Sequence, residues 1–336
     1  MKRITGIKKV ISGRQLFLLS AFFLFLILAA FKMNGLMAKT QAVDSSSVDG
    51  QIIETYLRAK YDDAGAVLVS GDSGAKYQPI ILEQPKAPCP DSDFSAYTSA
   101  TVDKAPIPVL MYHHVALAPE GSALPGLYHD PEVFEDQLRT LKLDCYSGIF
   151  VAEIGQYLQG DYRLPAKPVA LTFDDGYDDM YINAFPLLKK YGMRGTMYII
   201  VEALGLPGYL TNDQVKEMSE SGYVEIASHT LNHANLKTVS DSKAWQEIFD
   251  SKGSLEKIIG QPVTDLAYPF GYFRRREEAY CRRAGYLTCV STYQGVIQSL
   301  DRRYSIFRLR PGYLTGDDLL DFIDKYIFSG RALGGN

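Results

Sequence analysis

The stretch Pro168-Val169-Ala170-Leu171-Thr172-Phe173, running into Asp174-Asp175-Gly176, constrains the fold more than any other. A short, mostly apolar run of this kind reads as a buried strand. Gly176 breaks it, and Asp178 to Lys190 then carries helical periodicity. Two carboxylates therefore sit at the C-terminal end of a strand, where the loop to the next helix opens. Barrel and open α/β folds place their chemistry at that point. Adjacent anions need a cation or a shared proton. Further along, Ser228-His229-Thr230-Leu231-Asn232-His233 supplies candidate metal ligands.

The pattern around this unit is alternating. Strands are predicted at Ile107–Tyr112, Thr196–Val201, Tyr223–Ser228, Asp265–Tyr268, Tyr286–Ser291 and Ile306–Leu309. Helices are predicted between them. Asp130-Pro131 opens one as N-cap and first helical residue. Pro186 divides or kinks another. Thr211-Asn212-Asp213-Gln214 has the form of a capping box and starts a third, ending near Gly222. Lys243–Ile259, Arg275–Ala284 and Asp317–Ile327 follow. About seven β/α units imply an α/β fold, a distorted (β/α)7-type barrel of mainly parallel strands.

The N-terminus is of another kind. Residues 1–15 carry Lys2, Arg3, Lys8, Lys9 and Arg14 and no acid, and Leu16 to Phe31 is apolar apart from Ser20. A basic flank before an apolar run directs export or membrane insertion. The expected organisation is a cytoplasmic tail over 1–15, a transmembrane signal-anchor over 16–33, a stalk over 34–105 and a catalytic domain over 106–336. The stalk is rich in Ser, Gly, Asp, Ala and Pro. Leu36-Met37-Ala38 makes a poor cleavage site, so the anchor is expected to stay attached, with a cleaved and secreted form as the alternative. The domain then lies outside the cytoplasm. The net charge is −4, and without those five basic residues the remainder stands at −9. No basic stripe relieves it, so nucleic acid is not an expected partner. Cys89, Cys145, Cys281 and Cys289 are scattered; Cys281 and Cys289 are read either as a disulfide or as buried thiols.

Four features fall at predicted strand ends: His113-His114, Asp174-Asp175, His229 with His233, and Tyr268-Pro269-Phe270-Gly271. In a barrel those ends share one rim. Histidines at i and i+4 lie on one face of a helical turn, so both rings reach one ion. With one carboxylate they form a site that stays open to water and substrate. If Asp175 is that carboxylate, Asp174 stands beside the ion as a general base. His113 or His114 is available as the acid.

Two of these segments carry a resemblance. Thr172-Phe173-Asp174-Asp175-Gly176 and Ser228-His229-Thr230-Leu231-Asn232-His233 resemble the first two motifs of carbohydrate esterase family 4, the polysaccharide deacetylases. That family includes chitin, peptidoglycan and poly-N-acetylglucosamine deacetylases. Pro108 to Val115 and Asp130 to Leu138 resemble one branch, in which the catalytic-acid histidine lies at the N-terminal end of the domain. The resemblance covers roughly residues 106 to 325 and implies a role for each matching position. Asp174 is the base, His113 the acid, and Asp175, His229 and His233 hold a divalent metal ion, which paired histidines and one aspartate suit to Zn2+. Tyr268 to Gly271 matches the third motif, with the Phe270 N–H at the oxyanion and Tyr268 beside the substrate. Ala267 stands where many members have the arginine that orients the base; Arg308 or Arg310 is the expected substitute.

The implied reaction is hydrolysis of N-acetyl groups on an N-acetylglucosamine polysaccharide, either an exopolysaccharide or peptidoglycan. The rival readings are a membrane-anchored polysaccharide-binding protein on an inactive scaffold and a metal hydrolase of another amide or ester. Intact Asp174, Asp175, His229, His233 and His113 argue against the first.

Overall fold

A computed structural model describes residues 104–329; the predicted tail, anchor and most of the stalk lie outside them. No helix among the described residues is long and apolar enough to cross a membrane. The elements in chain order begin with β1 (Lys104–Pro106), β2 (Val109–Tyr112), α1 (Pro131–Leu143), β3 (Ser147–Ile149) and α2 (Val151–Gln159). They continue with β4 (Pro168–Phe173), α3 (Phe185–Tyr191), β5 (Gly195–Ile199), α4 (Asn212–Glu220) and β6 (Val224–Ser228). The last are α5 (Asp241–Ile259), β7 (Asp265–Ala267), α6 (Arg275–Ala284), β8 (Thr288–Val290), β9 (Ile297–Ser299) and α7 (Gly316–Ser329). Local chemistry sets several helix starts. The Asp130 carboxylate accepts from Glu132 N–H, and Thr211 and Gln214 form a reciprocal capping box.

A parallel sheet runs β2-β4-β5-β6-β7-β8, with β3 paired to the first half of β4. It curls strongly. Residues 306–309 were expected to form a regular strand, but they hang across the gap by two isolated parallel bridges, Val290↔Ile306 and Leu110↔Leu309. The segment changes partner from β8 to β2 along its length, so it forms a ladder with neither. The architecture is a curled parallel half-barrel rather than an evenly hydrogen-bonded barrel. β1 and β9, absent from the sequence reading, pair antiparallel beside it.

Strand alternation sorts the core into two. Val169, Leu171 and Phe173, with Met197, Ile199, Ile226, Leu266 and Cys289, pack outward against the helices. Ala170, Tyr198, Ala227, Ala267, Val290 and Ile306 pack inward, with Val151, Ile154, Tyr157 and Leu158 of α2. On the inward rows of β5 to β8, Thr196, Glu225, Asp265 and Thr288 come one pleat before those apolar residues. Val151 N–H donates to Thr196 Oγ1, and Thr196 Oγ1 donates to Glu225 Oε2. On β4 the inward row is Ala170, Thr172, Asp174, so the pleat itself aims Asp174 into the curl. Cys281 and Cys289 are free, buried thiols, whereas Cys145 is disulfide-bonded.

Candidate active site

Asp174 is the buried anion at the centre of the site. Arg308 meets it with a bidentate fork, Nη1 to Oδ1 at 2.7 Å and Nη2 to Oδ2 at 2.8 Å. The guanidinium is itself buried and held, donating from Nε to Ser291 O at 2.8 Å and from Nη1 to Thr172 Oγ1 at 3.3 Å. Burial alone would raise the Asp174 pKa. The charge of Arg308 and its hydrogen bonds reverse that and hold the carboxyl well below the usual range. Of the two arginines expected near Asp174, Arg308 is the one that reaches it. Arg310, two residues on, is exposed.

Asp175 lies in left-handed backbone at φ 75, and Gly176 follows at φ 81. A Cβ on Gly176 would come within 3.2 Å of the Ile199 side chain, so the tight exit from β4 requires glycine. Asp175 Oδ1 is 3.4 Å from His229 Nε2 and 3.6 Å from His233 Nε2, and one ligand atom from each residue falls within a 4.8 Å cluster. Ligands around a tetrahedral zinc at bond lengths near 2.0–2.1 Å lie roughly 3.3 Å apart. The donor set and its spacing therefore fit a divalent ion. His229 Nδ1 bonds Ala267 O at 2.8 Å, which turns Nε2 toward the cluster. Burial lowers the His233 pKa to about 4, so its ring is neutral, the form that ligates. His229 is raised: burial pulls it down, but the Asp175 hydrogen bond and the Asp174 and Asp175 charges outweigh that.

The histidine spacing works by a different geometry from the one predicted. Residues 229–233 are a turn, not a helical turn, because Thr230 and His233 have φ 69 and 61. Two left-handed residues fold the chain back so that both rings face Asp175. His113 Nε2 lies 3.9 Å from Asp174 Oδ2. Burial lowers its pKa, opposed in part by Asp174 and Asp175. His114 turns elsewhere. Its Nδ1 pairs with Asp179 Oδ2 at 2.5 Å, and its ring is stacked between Tyr128 and Tyr177 at 4.1 and 3.6 Å.

At the third motif, Phe270 has φ 59, is 54% exposed, and sets its ring 4.5 Å from that of His233. The turn closes through Gly271 N–H to Tyr268 O and Tyr272 N–H to Pro269 O, leaving the Phe270 N–H outside those bonds. Tyr268 does not line the site, contrary to the sequence expectation. It is buried in the outer core with its hydroxyl on Tyr304 O at 3.0 Å, because Ala267 holds the inward position of β7. One contributor had no sequence signal: the Tyr177 hydroxyl reaches Asp175 and Tyr209.

The curled parallel half-barrel fold is shared with solved deacetylases. The polysaccharide deacetylase family model matches residues 161–289. YxkH of Bacillus subtilis (strain 168), named for polysaccharide deacetylase activity, is 32% identical over 224 residues, 66% of this chain and 77% of that protein. The structure of the Streptococcus pyogenes deacetylase PplD, in complex with acetate, superposes with a TM-score of 0.61 at 32% identity. It covers 65% of this chain and 97% of PplD. A poly-β-1,6-N-acetyl-D-glucosamine N-deacetylase of Staphylococcus aureus (strain MSSA476) is 25% identical over 57% of this chain and 69% of its own length. The chain belongs to the polysaccharide deacetylase family, hydrolases of carbon–nitrogen bonds other than peptide bonds.

Proposed function

We propose that this protein removes N-acetyl groups from an N-acetylglucosamine-containing polysaccharide, in the branch of the family whose catalytic acid lies at the N-terminal end of the domain. The observation that carries the proposal is Asp174, ionised by the Arg308 fork and adjacent to the Asp175–His229–His233 cluster. Those three residues would hold the ion, and two imidazoles with one carboxylate suit zinc. A divalent ion there supplies a Lewis acid that polarises the acetyl carbonyl and acidifies water. Asp174 takes the proton from the attacking water, since its carboxyl stays ionised at working pH. The Phe270 N–H, free of the turn's own bonds, donates to the carbonyl oxygen as negative charge develops. His113 delivers a proton to the leaving nitrogen, so the C–N bond breaks to acetate and a free amine. Arg308 fixes both oxygens of Asp174.

On the same reading residues 16–33 anchor the chain in the membrane, and the polymer is one of the cell envelope. The Staphylococcus aureus relative, by its name, acts on poly-β-1,6-N-acetylglucosamine, which makes that polymer the first substrate to test. Acetate release by the purified chain should be measured on this polymer, chitin oligosaccharides and peptidoglycan. Release should stop on chelation and return with zinc. Undiminished release after full chelation would overturn the metal reading, and no release from any N-acetylated polymer would overturn the substrate class.

A further inference from the structure

The turn that carries His229 and His233 is strained and has to be held from outside. Thr230 and His233 both lie in left-handed backbone, which residues with a side chain rarely adopt. Several bonds hold it: Val201 and Glu202 N–H donate to Thr230 O and Leu231 O, Thr230 N–H donates to Ser228 Oγ, and within the turn His233 N–H donates to Thr230 Oγ1. The two central amides go elsewhere. Leu231 and Asn232, between the two histidines, point their N–H groups away from the site toward α5. Both donate there to a single side-chain oxygen, Glu247 Oε2, at 2.9 and 3.0 Å. Glu247 is fully buried on α5, and its other oxygen lies 2.8 Å from Lys243 Nζ. A buried carboxylate is costly unless it is paired and hydrogen-bonded; here Oε1 has only the Lys243 ion pair, and both hydrogen bonds of the carboxylate are accepted by Oε2 from the backbone of the metal turn.

We propose that Glu247 is a positioning residue for metal binding. By accepting both central amides of the 229–233 turn, it imposes the left-handed geometry that brings two imidazoles to one Asp175 oxygen. It is neither a ligand nor a substrate contact. The inference rests on the reading of Asp175, His229 and His233 as a metal site. Outer partners of this kind typically change metal affinity 10–100-fold when removed.

The test compares Glu247→Ala, Glu247→Gln and Glu247→Asp in the full chain. Zinc dissociation constants are read by competition with a chelator, and amide hydrogen exchange at Leu231 and Asn232 is read on the metal-free protein. Glutamine keeps an acceptor oxygen at the same reach, so its affinity should stay within about threefold of wild type and both amides should stay protected. Alanine should weaken zinc roughly 10–100-fold and expose both amides. Aspartate, one methylene short, should fall between. If Glu247→Ala does not fold, the order of glutamine over aspartate carries the test. Wild-type affinity in the alanine or aspartate variant, or glutamine as weak as alanine, overturns the proposal while the metal reading stands. Wild-type protein that binds no zinc sinks both.

Discussion

Replacing Arg308 with methionine should disable the base without touching the metal ligands. Methionine fills much of the volume but leaves Asp174 buried with no cation. Breaking a buried, doubly hydrogen-bonded pair by removing one partner costs about 3–5 kcal/mol, and the Ser291 carbonyl loses its donor as well. In the native chain the Asp174 pKa is depressed. Its contribution to stability is therefore fully present above the unfolded carboxyl value and lost only as pH falls through the folded one. In the variant burial raises the pKa with no guanidinium to oppose it, so more of the carboxyl is protonated at a given pH and cannot accept the water's proton. Two readings follow. The acidic limb of the pH profile of kcat/KM should move up, on the order of two units or more. The stability deficit in urea should shrink as pH falls, because a neutral carboxyl tolerates burial. Arg308→Lys, with a point charge and no fork, should lie between. An unmoved acidic limb in Arg308→Met, with stability within about 0.5 kcal/mol of wild type and full metal content, would refute this reasoning.

Three further outcomes are expected. His113→Ala should lose roughly 10²–10⁴-fold in steady-state turnover with its metal retained, and His114→Ala much less; the opposite ranking would move the acid to His114. Glu225, raised to about 7 by burial, carries its proton in the folded state where the unfolded chain does not. Stability should therefore fall as pH rises from about 4.5 to about 7, and Glu225→Gln should flatten that slope in urea titrations; an unchanged slope would deny the shift. The N-terminus of the mature protein should map before residue 16 in a membrane fraction, whereas a soluble form beginning after Ala38 would mean cleavage.

What the sequence made legible was local. The apolar run into Asp174, the N-cap at Asp130 and the capping box at Thr211 each depend on a few neighbouring residues, and each stands where it was read. Elements that depend on distant partners were not legible. β1 and β9 are three-residue strands joined across most of the domain, with no periodicity of their own. α2 spans only nine residues and buries Glu153 and Gly155 together with its apolar side chains, so its inward face is not marked by apolar residues alone. The choice between Arg308 and Arg310 turned on which residue faces inward across a seam held by isolated bridges, and no local pattern encodes that. The histidine pair was found by its spacing, yet its left-handed turn depends on anchors as remote as Glu247. That residue looks like any other acid of an amphipathic helix until the loop is packed against it.

The central claim is that two neighbouring aspartates do separate work, and one paired measurement tests it directly. Metal content by elemental analysis and acetate release from an N-acetylglucosamine polymer should be determined on the same samples of wild type, Asp174→Asn and Asp175→Asn. Wild type and Asp174→Asn should each carry about one divalent ion per chain, with turnover lost in Asp174→Asn, while Asp175→Asn should lose the ion itself. Equal loss of metal in both variants, or turnover that survives in Asp174→Asn, would contradict the assignment.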